Sequence, residues 1–413
     1  MVTWHFLPEI GGAVDRVVGL MKHISNDRFQ ITVLTRKIPH KPRVSPQVCN
    51  MNLAGARAYR APSFFEYAWL NLPAVCSFFL YTFMIILRES PDVIFLTMPQ
   101  AENILGAWLA AKLLRKPCVV DIRDLWEEAR LRFLSDKSVD RRIISLKPII
   151  TPFLYCLYKV FDFVYQKSEV IIGVTQKITQ SLMKRGVPRE KIRLVPNGAE
   201  TAIFKPVLNK KLIRKNYQLP LESFVIASEG IMTEEDRIDL VLEALKLLAK
   251  SSSKNILFLI IGDFVRSTHK ERVEEIIDRL GLRKAVIITG FLPRERVAEL
   301  LATSDVAVLP LDDDPFWKYR VPLAFFDCLA CSIPVVAFSY DDSDLAGIIR
   351  TYNCGLIVAP NDVPDLAEKL KVLMNNRALI EELGKNGYHI AQELFNREKM
   401  AKKLEEIFVD LCD

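Results

Sequence analysis

Strands and helices alternate twice along this chain, and the two sets meet near residue 200. In the first set, an extended run at residues 2–7 is followed by a glycine turn, a helical apolar pattern and a strand at 29–35. That succession opens a doubly wound parallel sheet. The alternation restarts after residue 198, and 413 residues are too many for one core but enough for two domains. The pattern predicts an α/β fold with two Rossmann-like domains.

Hydrophobic patterning predicts the remaining elements. The other strands fall at 93–96, Cys118–Ile122, 170–174 and 193–195, then at 224–227, 256–261, 286–289, Val306–Leu309, 335–337 and Gly355–Val358. Helices of the second set fall at 237–249, 268–280, Arg294–Ala302, Leu323–Ala330 and 363–374, with a last helix at 397–411. We predict an N-terminal domain at 1–198 and a C-terminal domain at 199–396. The helix in 397–413 should pack back toward the first domain.

The charges are divided unevenly between the two halves. Residues 1–200 hold 28 Lys/Arg and 17 Asp/Glu, a balance of +11, whereas residues 201–413 hold 28 and 33, a balance of −5. A basic first half suits an anionic partner, although two solvated surfaces also differ by chance. We predict that this partner is an anionic membrane surface and that no nucleic acid is bound.

The eight cysteines are scattered and form no regular framework, which indicates a reduced, cytosolic protein. Cys328 and Cys331 form a single CxxC without the second pair or the histidines that a zinc site needs. The histidines also lie far apart in sequence, at His5, His23, His40, His269 and His389. We therefore predict no metal site and no required cofactor.

Residues 67–87 form a run of 21 residues without a charge. That length meets the criterion for a membrane-spanning helix. A span would separate the first strands from the sheet that they should complete, and Asn71 and Pro73 interrupt the run. A helix packed in the first domain with part of its surface in contact with lipid is the preferred interpretation. Plain burial is the second interpretation and a true span the third.

Two groups of residues follow strands where open α/β sheets bind ligands. Gly11 and Gly12 lie between a strand and a helix, where free backbone N–H groups favour phosphate, although a tight turn needs glycine too. Arg123 and Asp124 belong to a charged segment, 121–128, directly after an apolar strand. That segment is either part of a ligand site or a salt-bridged loop.

An ordered set of motifs extends over nearly the whole chain: PEIGGAVDRV, PDVIFLTMP, VVDIRDLWEEA, KIRLVPNGAETAIFKP, FLIIGD, VIITGFLPRERVAELLATSDVAVLPL and ACSIPVVA. This set resembles glycosyltransferase family 4, in particular members with an RDLW motif that build surface polysaccharides and glycolipids. The resemblance implies a GT-B fold, in which two Rossmann-like domains face each other across a cleft. It also implies a nucleoside-diphosphate sugar donor bound mainly by the second domain, an acceptor bound mainly by the first, retention of anomeric configuration and no required metal.

The resemblance also implies roles for particular residues. Gly11, Gly12, Arg123 and Asp124 would line the acceptor side. The donor diphosphate and sugar would be surrounded by Gly230, Arg237, Gly262, Gly290, Lys318, Arg320 and Asp327. Asp124 and Asp327 are the candidate catalytic carboxylates.

The donor motif departs from the family pattern. Asp236 and Arg237 replace a lysine–glycine pair, and Ala324 replaces a second lysine. Asp327, Ser332 and Tyr319 occupy positions where the family has glutamate, glycine and an acidic residue. A cation there stabilises the leaving diphosphate, so Asp236 should add repulsion, while Arg237, Lys318 and Arg320 could replace the lost charge. A solvated loop is the alternative for Lys318 and Arg320.

These observations predict a retaining glycosyltransferase that moves a sugar from a nucleoside-diphosphate sugar to a lipid-linked or glycan acceptor in cell-surface synthesis. The expected location is cytoplasmic, peripheral on the inner face of the cell membrane. A catalytically degenerate binding or scaffold protein is the second hypothesis, and epimerisation of a nucleotide sugar is a third. The run Asp312–Asp314 is expected to orient Lys318 and Arg320 and to bind no catalytic metal.

Overall fold

The chain folds into two compact units. The computed structural model describes residues 1–3, 6, 12–36, 56–61, 72–97, 101–125, 141–251 and 254–412. The first unit comprises Met1–Pro196 and Met400–Asp413, and the second comprises Asn197–Lys399.

The first unit contains a parallel sheet of seven strands in the order β3-β2-β1-β4-β5-β6-β7. The strands are β1 (Val2–Thr3), β2 (Thr32–Arg36), β3 (Arg57–Ala61), β4 (Ile94–Thr97), β5 (Cys118–Ile122), β6 (Val170–Gly173) and β7 (Ile192–Leu194). The helices are α1 (Gly12–His23), α2 (Leu72–Glu89), α3 (Ala101–Leu113), α4 (Arg141–Lys167) and α5 (Gln176–Lys184), with a 3₁₀ turn at Arg189–Lys191. The last helix of the chain, α14 (Arg397–Asp410), contributes most of its length to this unit.

The core of the first unit explains why these segments fold as they do. Every residue of β4, β5 and β6 is buried, as expected for parallel strands covered on both faces. Leu20 of α1 packs with Phe95 and Val119 of the sheet, and the same cluster includes four residues of α14. Those four are Met400, Ala401, Leu404 and Ile407.

The second unit contains a parallel sheet of six strands in the order β10-β9-β8-β11-β12-β13. The strands are β8 (Phe224–Met232), β9 (Ile256–Phe264), β10 (Val286–Ile288), β11 (Val306–Leu309), β12 (Val335–Phe338) and β13 (Gly355–Val358). The helices are α6 (Lys210–Asn216), α7 (Ile238–Ser251), α8 (Ser267–Leu280), α9 (Arg294–Ala302), α10 (Leu323–Ala330), α11 (Asp344–Tyr352), α12 (Val363–Asn375) and α13 (Arg377–Glu393), with a 3₁₀ turn at Pro315–Tyr319. One apolar cluster lies on each face of this sheet.

The structure departs from the predicted elements at several places. Strands β8 and β9 continue beyond the predicted ends at 227 and 261, because the two strands stay paired from Ser228↔Ile260 to Met232↔Phe264. The edge strand β3 and the helices α6, α11 and α13 were not predicted. Strand β1 is limited to Val2–Thr3, and residues 4, 5 and 7 of the predicted run lie outside the described part of the chain.

Helix α2 contains most of the uncharged run at 67–87. It packs against α3, and Phe78 and Ile86 are buried. Among the helices that the structure describes, none is long and apolar enough to cross a membrane.

Candidate donor and acceptor sites

A buried ion pair organises the carboxyl edge of the first sheet. Arg16 of α1 is 1% exposed, and its guanidinium contacts both carboxylate oxygens of Asp121 at 2.7 and 3.1 Å. Thr97 Oγ1 donates to the same carboxylate at 3.1 Å. Arg16 also donates to the carbonyls of Val195 and Pro196 at 3.0 Å. This network fixes the ends of β4, β5 and β7 around α1, and the sequence pattern gave no sign of Arg16.

The predicted acceptor residues follow the ends of β1 and β5. Arg123 is 7% exposed, and burial lowers the pKa of its guanidinium to about 10, so it stays protonated at neutral pH. Asp124 is half-buried beside it. Gly12 is exposed at the first residue of α1, whereas Gly11 lies outside the described residues. A buried cation and a helix N-terminus at one edge of a sheet suit an anionic group.

Three glycines shape the corresponding edge of the second sheet. Gly230 and Gly262 face each other on β8 and β9 with φ of 137° and 143°. A Cβ on Gly262 would lie 1.8 Å from the carbonyl oxygen of Gly230, so no other residue fits there. A Cβ on Gly230 would meet nothing within 4 Å, which leaves open space beside that backbone. Gly290 follows β10 with φ of 71°.

Arg237 directly precedes α7, at the same edge. Its guanidinium forms a two-point contact with Asp239 at 3.0 and 2.8 Å and donates to Asn361 Oδ1 at 3.0 Å. The hydrogen bond with Asp239 is the main reason that the pKa of Arg237 is raised. Arg237 is therefore charged and partly exposed, but it already has a carboxylate partner.

Lys318 lies in the 3₁₀ turn after β11, and Arg320 directly follows that turn. Lys318 pairs with Asp342 at 2.9 Å and lies 4.7 Å from the ring centre of Tyr340. Arg320 lies 3.8 Å from Glu235 and 4.5 Å from the ring centre of Trp317. Aromatic rings hold both cations in place while leaving part of each exposed.

Asp327 lies on α10 and is 2% exposed. Arg294, the first residue of α9, contacts its carboxylate at 3.2 Å, and the Arg294 guanidinium lies 5.0 Å from the ring centre of Phe204. Sequence reasoning singled out Asp327 but missed Arg294. An arginine at the start of a helix, directly after Pro293 and four residues after Gly290, was the available signal.

The carboxylate of Asp236 is turned into its own loop. It accepts hydrogen bonds from the backbone N and Oγ1 of Thr233 at 2.8 and 2.9 Å. Burial raises the pKa of Asp236 despite these two bonds. The repulsion expected of this residue is therefore weakened, because Thr233 engages its carboxylate within its own loop.

The run Asp312–Asp314 is engaged in loop contacts. Asp312 accepts from Trp317 Nε1 at 2.5 Å, Asp313 accepts from Asn361 at 2.9 Å and Asp314 caps the 3₁₀ turn by accepting from Phe316 N at 2.7 Å. Within the described ranges, no group of three or more His, Cys, Asp or Glu side chains could hold a metal ion. Burial raises the pKa of both Cys328 and Cys331, so these thiols stay protonated.

Ion pairing extends to six described cations at or near this edge. Each has a carboxylate within 4 Å, in the pairs Arg237–Asp239, Arg266–Glu234, Lys270–Asp263, Arg294–Asp327, Lys318–Asp342 and Arg320–Glu235. An anionic ligand would have to compete with these carboxylates or share their cations.

Two family models match consecutive parts of the chain. Residues 10–203 match Glycosyltransferase Family 4, and residues 209–390 match Glycosyl transferases group 1. The chain belongs to these glycosyltransferase enzymes. This confirms the resemblance to glycosyltransferase family 4, while the RDLW type and the divergent donor motif stay predictions.

Curated relatives are more distant. The chain is 23% identical over 326 residues to an Escherichia coli UDP-Gal:alpha-D-GlcNAc-diphosphoundecaprenol alpha-1,3-galactosyltransferase, covering 78% of this chain and 76% of that protein. It is 32% identical over 140 residues to an exopolysaccharide phosphotransferase of Streptomyces coelicolor, covering 34% of this chain but 14% of that protein. The chain spans about half the length of several other relatives that it matches.

Solved structures confirm the fold. HepE of Anabaena in complex with UDP superposes with a TM-score of 0.72 at 14% identity, over 99% of this chain and 98% of that one. Sucrose-phosphate synthase of Thermosynechococcus elongatus gives 0.73 at 18% identity over the same shares. The chain therefore has the GT-B fold, with two Rossmann-like domains each built on a parallel sheet.

Proposed function

We propose that this chain transfers a sugar from a nucleoside-diphosphate sugar to a lipid-linked or glycan acceptor in the synthesis of cell-surface polysaccharide or glycolipid. The observation that carries the proposal is the carboxyl edge of the second sheet, where the backbone beside Gly230 is open and Arg237, Lys318 and Arg320 are partly exposed. The names of relatives and the UDP in the HepE structure support this donor class.

Each candidate residue has a distinct role in this proposal. Arg237, Lys318 and Arg320 bind the diphosphate and offset the negative charge that grows on it as the sugar leaves. Asp327 accepts hydrogen bonds from donor hydroxyls, with its carboxylate oriented by Arg294. Gly230, Gly262 and Gly290 allow close approach of the backbone to the donor.

On the first unit, Gly11, Gly12 and Arg123 bind an anionic group of the acceptor. Asp124 follows Arg123 and acts on the acceptor hydroxyl. The sugar keeps its anomeric configuration, no metal is required, and the enzyme works on the cytoplasmic face of an anionic membrane. The basic balance of residues 1–200 supports that location.

Thermal-shift measurement against a panel of UDP-, GDP-, ADP- and dTDP-sugars tests the donor class. A donor that binds the folded state raises the unfolding temperature by an amount set by its concentration relative to Kd. Transfer from the best donor, followed by NMR of the product's anomeric proton, tests retention. Lys318→Ala with Arg320→Ala should reduce the shift, whereas Lys211→Ala, an exposed lysine paired with Glu222, should not.

Ion pairing at the second sheet favours one alternative function, a degenerate glycosyltransferase that binds a partner without catalysis. Asp236 and Ala324 stand where the family has lysines, and the six nearby cations already have carboxylate partners. A chain that shows no shift with any nucleotide sugar at millimolar concentration would favour this alternative over transfer.

A further inference from the structure

Three neighbouring helices of the first unit expose stripes of large apolar side chains. On α2, Leu80, Met84 and Leu87 are 57%, 52% and 61% exposed, and their spacing places them on one side of the helix. On α3, Leu109 and Leu113 are 43% and 65% exposed. On α4, the exposed apolar residues are Tyr155, Val160 and Phe163. We call these eight residues the apolar face.

The three stripes form one surface because the helices pack side by side. Helix α3 packs against both α2 and α4. Trp108 of α3 donates to Ser168 after α4 at 3.1 Å, and its ring centre lies 6.0 Å from that of Phe163. An exposed apolar surface spread over three helices is unusual unless something covers it.

Basic side chains accompany the apolar face. Lys112 lies 6.0 Å from the ring centre of Trp108, Lys167 lies 6.0 Å from that of Phe163 and Lys159 lies 5.5 Å from that of Tyr155. Each of these distances runs from the lysine Nζ to the ring centre, so positive charge lies next to aromatic side chains at this face. Arg88 and Arg115, near the ends of α2 and α3, are also exposed.

Acidic groups in the same region are largely engaged. Glu89 accepts from Tyr59 and Arg57, and Asp162 is buried against Arg185 at 2.6 Å. Glu169 is shared between Lys112 and the backbone of Cys118. The same carboxylates pair with Arg88, Lys112 and Lys159. The positive charge that they do not offset comes from Arg115, Lys116 and Lys167, against one exposed acid, Asp92, in the described part of this region.

We infer that the apolar face docks on the surface of a bilayer that contains anionic lipids. The helices would lie in the plane of the interface, with their apolar stripes at the acyl boundary and their lysines among the headgroups. The choice of a bilayer over a protein rests on charge: basic groups are distributed around an apolar centre, with few free acids to pair with a second copy of this face. The inference extends the membrane location proposed above by naming the surface responsible.

Vesicle co-sedimentation of the full chain tests this surface. The wild type should bind phosphatidylglycerol-containing vesicles more tightly than pure phosphatidylcholine vesicles, and high salt should weaken the binding. The triple variant Leu80→Ser, Leu113→Ser and Phe163→Ser should lower the partition coefficient at least about tenfold, because less apolar surface enters the interface.

A matched control separates this effect from a general loss of exposed apolar surface. Leu212→Ser, Leu247→Ser and Val372→Ser change three residues of the second unit that are 56%, 42% and 42% exposed, and vesicle binding should be unchanged. A second variant, Arg115→Glu with Lys167→Glu, should abolish the preference for anionic lipid without removing any apolar residue. Circular dichroism should show that every variant is folded.

Two results would overturn the inference. One is a folded triple variant that binds anionic vesicles as tightly as the wild type. The other is a wild type that ignores vesicles and forms a dimer, seen by light scattering, that the triple variant dissociates; the apolar face would then bind a second copy. Nucleotide-sugar binding depends on the second unit and is measured separately, so failure of the docking surface leaves the proposed transferase activity to its own test.

Discussion

The pairing of Arg237 with Asp239 gives opposite expectations for substitutions at two residues that contact each other. If Arg237 supplies a cation to the donor diphosphate, Arg237→Ala removes a charged hydrogen-bonding contact, which contributes about 1.5–3 kcal/mol. That corresponds to about 10- to 100-fold weaker binding. Asp239→Asn should instead tighten binding, because the carboxylate that competes with the diphosphate for the guanidinium becomes neutral.

The magnitude expected for Asp239→Asn follows from the exposure of the pair. Both side chains are 29% exposed, so solvent screens the charge that is removed. Near a protein surface we expect an effect of about 1 kcal/mol, or about fivefold tighter binding. Titration calorimetry with UDP, GDP, ADP and dTDP measures both variants against the same ligands.

Arg283 and Asp278 provide the control. They form the same two-point contact, at 2.8 and 2.5 Å, but precede β10 and so lie at the amino edge of the sheet. Arg283→Ala and Asp278→Asn should leave nucleotide affinity unchanged. The reasoning is refuted if Arg237→Ala binds every nucleotide as Arg283→Ala does, or if Asp239→Asn weakens binding as much as Arg237→Ala.

Three further outcomes are expected. Gly262→Ala should lower the free energy of unfolding, measured by chemical denaturation, by about 3 kcal/mol or more, because the new Cβ would clash with the backbone of Gly230. Gly347→Ala, with open space around it, should leave stability unchanged or raise it. Equal effects of the two substitutions would contradict the predicted clash. Burial raises the pKa of Asp236 in the folded state above its ordinary value of 3.8, so ionisation of this carboxyl destabilises the fold. That destabilisation is fully present above the raised pKa and disappears as the pH falls toward 3.8. Asp236→Asn should therefore gain stability above that window and flatten the pH profile, and an unchanged profile would exclude Asp236 as its source. Turnover should survive excess EDTA, and a loss that added Mg²⁺ or Mn²⁺ restores would show that the enzyme needs a metal.

For three strands, the bounds predicted from the sequence match those in the structure. Strands β5, β11 and β13 have the predicted bounds, because each is a short, largely apolar run that ends at a clear break: Arg123 follows β5, Pro310 follows β11, and Ala359 and Pro360 follow β13. Strands β8 and β9 exceed their predictions because the ladder continues through the paired glycines, Gly230 and Gly262, to Met232 and Phe264. That pairing depends on two distant segments, and a hydrophobic pattern within either segment cannot reveal it.

The missed elements also have physical reasons. Strand β3 has charged and exposed residues, Arg57 and Arg60, because an edge strand needs no continuous apolar run. Helix α13 carried a usable signal, since Asn376 caps it and Ile380 and Leu383 recur at helical spacing. Its position beside α10 depends on Gly384, whose missing Cβ would lie 2.3 Å from the carbonyl oxygen of Ser332.

The candidate site was less accessible to sequence reasoning. Arg237, Lys318 and Arg320 were identified as cations near the donor, but their carboxylate partners were not. Asp342 and Glu235 are brought to them by loops after different strands. The buried position of Arg16 was invisible for the same reason, because Asp121 lies 105 residues away.

The contribution of α14 to the first core has a consequence for synthesis on the ribosome. Met400, Leu404 and Ile407 emerge only after the whole second unit, which is continuous from Asn197 to Lys399. At about 5–20 residues per second, translation of that unit takes roughly 10–40 s. During this interval Leu20 and Phe95 lack their last partners, so the unit that begins first is completed last. A chain that ends at Lys399 and has been released from the ribosome should leave the first unit sensitive to protease while the second is protected.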